Sequence, residues 1–387
     1  MKIGIFSAQY LPNYGGVERY TFQLAMRAIA AGHEVSVITS ARKGLPQAEK
    51  SPEGIQIFRL PAWQLMNGRF PVPKRNREFR EMAGQLWRDG LDVCVVQARF
   101  YPLSLYALWQ TKKRKIPALL IEHSSGHLQP EGKVAALAGH WYEHLGAFIV
   151  RQNCGHIYGV SENTCRWLTH VGLRSEGVFY NSVDISEIDR TVRQQRGNDW
   201  RVKLGLRQED KIILFSGRLI PEKGVLNLIA AMRFVEDRKV CLLIAGDGPL
   251  LERVRSEECE RIRVLGNLRH DEMIGLFSQA DVTCLPSESE GFATTLLEAA
   301  ACRCPILMTN TGGADELILS DEYGTLLADA QPETIAAALE KALSEPDWRR
   351  KAGELLRKRV EDCFDWEITA HRVIQTLEGL AGKQPGR

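Results

Sequence analysis

The chain has 387 residues, 44% of them hydrophobic and 25% charged, with a formal net charge of +2. That length suits two domains, and the composition is that of an ordinary globular protein, not a disordered or fibrous one. The near-neutral balance argues neither for nucleic acid nor for an acidic partner, no apolar run is long enough to span a bilayer, and nine scattered cysteines without a zinc or disulfide framework read as reduced thiols of a cytosolic protein.

Lys2–Phe6 reads as a first strand, with no signal-peptide pattern ahead of it. A loop with Gly15-Gly16-Val17-Glu18 follows, then a helix through Leu24 and Ile29. Gly15 and Gly16 let a backbone approach a ligand closely, and the helix start offers unpaired N–H groups to an anion. The run is not the G-x-G-x-x-G fingerprint, and a plain strand-to-helix turn would look the same. Strands at 32–39, 54–60, 92–96, 117–123 and 155–161 alternate with helical stretches, which predicts βαβ units and a mostly parallel sheet. His123 falls just past a strand's carboxyl end, where such sheets keep their ligand sites, although a structural histidine would fit there too. Trp141–Val150 reads as a buried helix. His140 and His144 have the spacing of helical metal ligands, but the acid is misplaced for H-E-x-x-H, so a helix face is preferred. Ser161 reads as the cap of a helix through Trp167 and Leu168. The segment from Val178 through Asn181 to Asp184 closes the first half.

Residues 185–208 are polar and charged and read as a hinge or linker. A second alternating series begins with strands at 211–216, 240–245, 261–265, 280–285 and 305–308, with helices filling the rest to about 384. Two loops stand out. Gly217–Gly224 carries Arg218 and Lys223 just past a strand end, where a guanidinium fork and an ammonium could hold phosphate oxygens; solvated surface is the bland alternative. Pro286–Ala301 runs from strand to helix and carries two acids, Glu290 and Glu298, with seven residues between them. A helix start near Ala293, Thr294 and Thr295 would offer N–H groups to a phosphate, while the carboxylates would accept sugar hydroxyls.

Taken together, Gly15-Gly-Val-Glu18, Asn181-Ser-Val-Asp184, Gly217–Gly224, Gly246-Asp-Gly-Pro249, Pro286–Phe292 with Leu297-Glu-Ala299, Gly312–Glu316 and Phe364-Asp-Trp366 resemble the retaining glycosyltransferases of family 4. The likeness covers nearly the whole chain. It implies an α/β GT-B fold: two facing Rossmann-like domains with parallel sheets and an interdomain cleft. Residues 1–187 would form the acceptor domain and 188–364 the nucleotide-sugar domain, with 365–387 packing back on the first. The family roles carry over to Glu298 on the ribose hydroxyls and Glu290 on the transferred sugar. Arg218 and Lys223 would meet the diphosphate, and Gly15, Gly16, Asn181, Gly217, Gly291, Phe292, Ala293 and Thr294 would line the donor. His123 would face the transferred sugar. No metal or other cofactor is implied. Three positions depart from the family pattern: Ser182, Ala293 and Arg303, each where glycine is common.

The resemblance implies transfer from a UDP-sugar, or next from GDP-mannose, to a hydroxyl of a glycan or lipid-linked acceptor in bacterial surface polysaccharide or lipopolysaccharide synthesis. The alternatives are a non-catalytic sugar-nucleotide-binding or membrane-docking subunit and a sugar-nucleotide epimerase. No carboxylate pair has the look of a glycosidase dyad. Basic clusters at 69–80 and 112–115, with Trp63, Phe100 and Tyr101 nearby in sequence, suggest docking on the inner face of an anionic membrane; solvated loops are the competing reading.

Overall fold

Apolar strands of Val, Ile and Leu, buried on both faces, are what parallel sheets covered by helices require. The computed structural model describes residues 1–12, 15–127, 133–288 and 294–382, with the side chains at 67, 133–138 and 140 also outside its description. Two units divide the chain: Met1–Asn181 with Trp366–Arg387, and Ser182–Asp365.

The first unit runs β1 (Lys2–Phe6), α1 (Gly16–Ala30), β2 (Glu34–Ser40), β3 (Ala48–Lys50), β4 (Gln56–Leu60), β5 (Ala62–Leu65), β6 (Phe70–Pro73), α2 (Arg77–Asp89), β7 (Val93–Gln97), α3 (Pro102–Arg114), β8 (Ala118–Glu122), α4 (Lys133–Asn153), β9 (His156–Gly159), α5 (Glu162–His170) and β10 (Gly177–Val178). Its main sheet has the order β10-β9-β8-β7-β1-β2-β4-β3, parallel except for the short β3. The C-terminal helix Trp366–Gly382 joins this unit. It buries Trp366, Val373, Ile374 and Leu377 in the same core as Tyr20 and Leu24 of α1. Ser161 caps α5 by accepting from the Thr164 N–H at 3.0 Å, as its sequence context predicts.

The second unit runs α6 (Ile185–Gln195), α7 (Trp200–Leu204), β11 (Lys211–Ser216), α8 (Val225–Ala231), β12 (Val240–Ala245), α9 (Leu251–Arg255), β13 (Ile262–Gly266), α10 (His270–Phe277), β14 (Val282–Leu285), α11 (Thr294–Ala301), β15 (Ile306–Thr309), α12 (Ala314–Leu317), β16 (Thr325–Leu327), α13 (Pro332–Ser344) and α14 (Pro346–Cys363). Its six strands are all parallel, in the order β13-β12-β11-β14-β15-β16.

Local expectations change in five places. Residues 185–208 are not a linker: they form α6 and α7, capped by Asp184 and Asp199 and buried through Ile185, Ile188 and Trp200. Their apolar faces are narrow, so the polar majority hides them. The first unit accordingly ends before 187, and Val183 pairs with Asp365 inside the second. Ala62–Pro73, where no element was expected, forms an antiparallel hairpin; Thr325–Leu327, where only helices were expected, is a strand. Trp141–Val150 is helical but not buried throughout, because Trp141, Leu145 and Phe148 face outward. All nine cysteines are free thiols.

Candidate active site

In the second unit the strand-end loops are stitched to one another through the backbone. The Gly217 N–H donates to Ala245 at 3.1 Å, Leu219 to Asp247 at 2.9 Å, and Gly246 to Gly266 at 2.7 Å. The approach is so close that a Cβ on Gly246, whose φ is +150°, would lie 1.8 Å from the Gly217 carbonyl oxygen. Gly224 is equally constrained: at φ +69° its Cβ would meet the Pro286 carbonyl oxygen at 2.1 Å. The Glu288 N–H also donates to the Glu222 carbonyl at 2.8 Å. These contacts bring together the two loops that were separate in sequence, the one with Arg218 and Lys223 and the one entering α11.

A cavity of about 240 Å³ opens at the carboxyl ends of β11, β12 and β13, lined among others by Ser216, Gly217, Arg218, Gly246, Asp247 and Asn267. Arg218 is exposed and makes no ion pair among the described residues, so its charge is available to a ligand. Lys223 is half-buried at the end of a single 3₁₀ turn, Pro221–Lys223. Glu298 sits on α11, almost fully buried, with Oε1 3.7 Å from Nδ1 of His270. His270 begins α10, directly after the Asn267-Leu268 stretch at the cavity rim. Thr294 opens α11, as the expected helix start requires. Glu290, Gly291, Phe292 and Ala293 lie outside the described residues. A larger open groove of about 930 Å³ runs along α13 and α14. Many of its charges are paired within it, as in Arg303–Glu354 at 3.0 Å and Lys351–Glu322 at 2.5 Å, and no strand-end loop lines it, so the smaller cavity is the candidate.

The first unit presents a different rim. Gly15 caps α1, and its missing Cβ makes room for Glu18, whose Oε2 would lie 2.3 Å from that atom. Above Gly16 the space is open, with nothing within 4 Å of a Cβ there. His123 follows β8, with Nε2 2.6 Å from Oε1 of Gln97 and the Tyr20 ring edge-on at 5.0 Å. Enclosure pushes the His123 pKa down to about 4, outweighing the Glu122 carboxylate that pulls it upward. Burial, with Glu18 and Glu122 adding to it, pushes the nearby Tyr101 hydroxyl up to about 12. Asn181 ends this unit, and its N–H reaches the Val160 carbonyl at 3.3 Å.

Beneath His123 lies a buried network that sequence reading missed. Glu122 is fully buried and accepts the backbone N–H groups of Arg99, His123 and Ser124 at 3.0–3.1 Å, while pairing with the Arg99 guanidinium at 3.1 Å. Arg99 also lies 3.8 Å from Glu143 of α4, which in turn holds His127. The available signal was an acid ending an otherwise apolar strand, Ala118–Glu122, beside the candidate histidine. In the second unit His270 and Asn267 were likewise missed, since nothing in their local spacing marks them.

The family model described as Glycosyltransferase Family 4 matches residues 14–187, and that described as Glycosyl transferases group 1 matches residues 197–359. Together they account for most of the chain, which belongs to these glycosyltransferases; it is an enzyme of the transferase class. A glycogen synthase of Mycobacterium tuberculosis is 25% identical over 100% of this chain and 96% of its own length. The phosphatidylinositol N-acetylglucosaminyltransferase gpi3 subunit of Schizosaccharomyces pombe is 24% identical over 97% of this chain and 80% of its own. Among solved structures, Anabaena HepE in complex with UDP-glucose shares the fold at a TM-score of 0.75, with 18% identity, 98% of this chain and 100% of that one covered. The fold is therefore GT-B, built from two Rossmann-like domains.

Proposed function

We propose that this chain transfers a sugar, with retention at the anomeric carbon, from a UDP-sugar to a hydroxyl of a lipid-linked or glycan acceptor in surface polysaccharide synthesis. The observation that carries the reading is Arg218, exposed and without an ion pair among the described residues, on the wall of a cavity of about 240 Å³; Lys223 lies on the same strand-end loop, and His270, just past the cavity's Asn267-Leu268 stretch, reaches Glu298. Such a rim suits a diphosphate flanked by a nucleoside. HepE, solved with UDP-glucose, favours uridine over guanosine, and the gpi3 relative's name favours a lipid acceptor.

In this reading the bond from C1 to the diphosphate oxygen breaks, and its electron pair leaves with UDP. The acceptor oxygen bonds C1 on the same face, and its proton passes to the departing phosphate oxygen. Arg218 and Lys223 meet the growing negative charge, which is where electrostatic stabilisation contributes most. Glu298 accepts the ribose hydroxyls. Glu290 and the neutral His123 are assigned to hydroxyls of the transferred sugar, and the backbone near Gly16 and Thr294 to phosphate oxygens. No metal is assigned to the diphosphate, so turnover should survive a chelator.

The test is nucleoside diphosphate release across a panel of UDP- and GDP-sugars, with and without chelator. UDP release that falls in both Arg218→Ala and Glu298→Ala supports the assignment. Turnover that both substitutions leave intact would remove it, and GDP release alone would replace the uridine donor.

A further inference from the structure

The outward face of α4 is apolar where a solvated helix face should be polar. Trp141, Leu145 and Phe148 recur at helical spacing and are 71%, 57% and 59% exposed. The opposite face is committed to the interior through Glu143, Ala147 and Val150, so the helix cannot turn its apolar stripe inward.

The exposed formal charge on α4 and on the helix beside it has one sign. The last turn of α3 carries Lys112, Lys113 and Arg114, and Arg151 stands in the last turn of α4. Lys112 donates to the Gln152 carbonyl, which sets the basic end of α3 against the end of α4. Neither helix offers an exposed carboxylate: α3 contains none, and Glu143, the single acid of α4, is buried. Exposed tryptophan and phenylalanine, bordered by cations and free of acids, match a helix lying in the headgroup boundary of a bilayer. A second copy fits less well, because a self-complementary contact would bring both sets of cations into one interface with no acid to pair them.

We propose that α4, with the basic end of α3, docks on an anionic lipid surface, the apolar stripe entering the headgroup boundary and Lys112 and Arg151 meeting lipid phosphates. This rests on the lipid-linked acceptor proposed above and names the face that would meet its membrane. It keeps the basic cluster at 112–115 expected from sequence and adds the apolar stripe of α4; Trp63, also expected there, is exposed beside Lys74 on the β5–β6 hairpin. Phe100 and Tyr101 are half-buried, packing against each other, with Tyr101 also against Phe70 and the Phe100 carbonyl accepting from the Tyr142 hydroxyl at 2.6 Å, and residues 69–80 are divided between the β5–β6 hairpin and α2.

Vesicle flotation tests it, using phosphatidylglycerol–phosphatidylcholine vesicles against phosphatidylcholine alone at low salt. The parent chain should float with the anionic vesicles only, and progressively less as salt rises. The triple variant Trp141→Ser, Leu145→Ser, Phe148→Ser should partition roughly tenfold more weakly or worse, with an unchanged melting temperature and unchanged UDP release from the UDP-sugar when the acceptor is water-soluble. Lys112→Glu with Arg151→Glu should abolish the preference for anionic lipid. A parent chain that stays with the unbound fraction, or a triple variant that floats as well as the parent, would overturn the proposal. So would a concentration-dependent dimer that the triple variant lacks, which would assign the face to a second copy. Donor turnover without flotation defeats docking alone; flotation without donor turnover supports docking and defeats the functional reading.

Discussion

Both units carry candidate ligand residues where their parallel strands end, but only the second presents an exposed cation there. The second unit places Arg218 there, exposed and without an ion pair among the described residues, with the half-buried Lys223 further along the same loop. The first places Glu18 and a neutral His123 there, while Glu122 lies buried beneath them and is balanced by the Arg99 guanidinium. The same βαβ geometry supplies helix N-termini to both, so the backbone alone does not decide which unit receives a diphosphate. Side-chain charge does. Carboxylates repel phosphate and accept hydroxyls, and a neutral imidazole can meet a hydroxyl without attracting an anion.

The sharpest way to break that contrast is to remove the cation. Arg218→Ala should lower kcat/KM for the UDP-sugar by about 10²–10³-fold, equivalent to about 3–4 kcal/mol. Its main effect should be on kcat, because the charge it meets grows as the bond breaks. Steady-state UDP release measures both parameters, and Glu18→Gln in the first unit should change them far less. An Arg218→Ala enzyme within threefold of the parent would show that the diphosphate is held elsewhere.

A backbone change in the same unit should rank next. Gly246→Ala forces a Cβ against the Gly217 carbonyl oxygen, at a backbone angle that L-residues rarely adopt. Something in the Gly217–Leu219 stretch must move. The expected cost is about 2–4 kcal/mol, seen as a lower melting temperature for the second unit in calorimetry and a raised donor KM. Gly16→Ala in the first unit, with open space around its Cβ, should leave the melt nearly unchanged.

Most of the architecture was legible in sequence because parallel strands buried on both faces leave unbroken apolar runs. Val240–Ala245 and Ala118–Glu122 are examples. Loops fixed by glycine at strand ends were legible for the same local reason. Three kinds of feature were not. Helices α6 and α7 have narrow apolar faces among many charges, so composition suggested a linker. Pairings between distant positions, such as Glu298 with His270 or Glu122 with Arg99, leave no mark in local spacing. Outward apolar residues on α4 look, in sequence, the same as inward ones. Arg303 is a partial exception. It stands where glycine is common in the family pattern, and it adopts φ +61°, the left-handed conformation that explains the preference for glycine there. The Glu354 carboxylate, 3.0 Å away, offsets part of the strain.

The smallest effect separates the two rims by pH. His123 has a pKa near 4 in the folded chain, below the ordinary imidazole value of about 6.5. Above about pH 6.5 it is neutral in both folded and unfolded chains, so its contribution to stability is fully present. As the pH falls from about 6.5 through 4, the unfolded chain takes a proton that the folded chain resists, and that contribution is lost. The loss is at most about 3–4 kcal/mol once the pH is below 4. His33, whose pKa is also lowered by burial and by the N-terminal ammonium, contributes in the same direction, so the parent melt alone cannot isolate His123. The difference between the parent and His123→Asn can: the variant's melting temperature should fall less between pH 7 and pH 5. Catalysis should behave otherwise. A histidine already neutral at pH 6 adds no transition to kcat between pH 6 and 8, whereas one that donated a proton in the reaction would. A kcat step near pH 6.5 that His123→Asn abolishes would therefore mean that the imidazole charges in the working enzyme, and would end the contrast between a cationic rim and a neutral one.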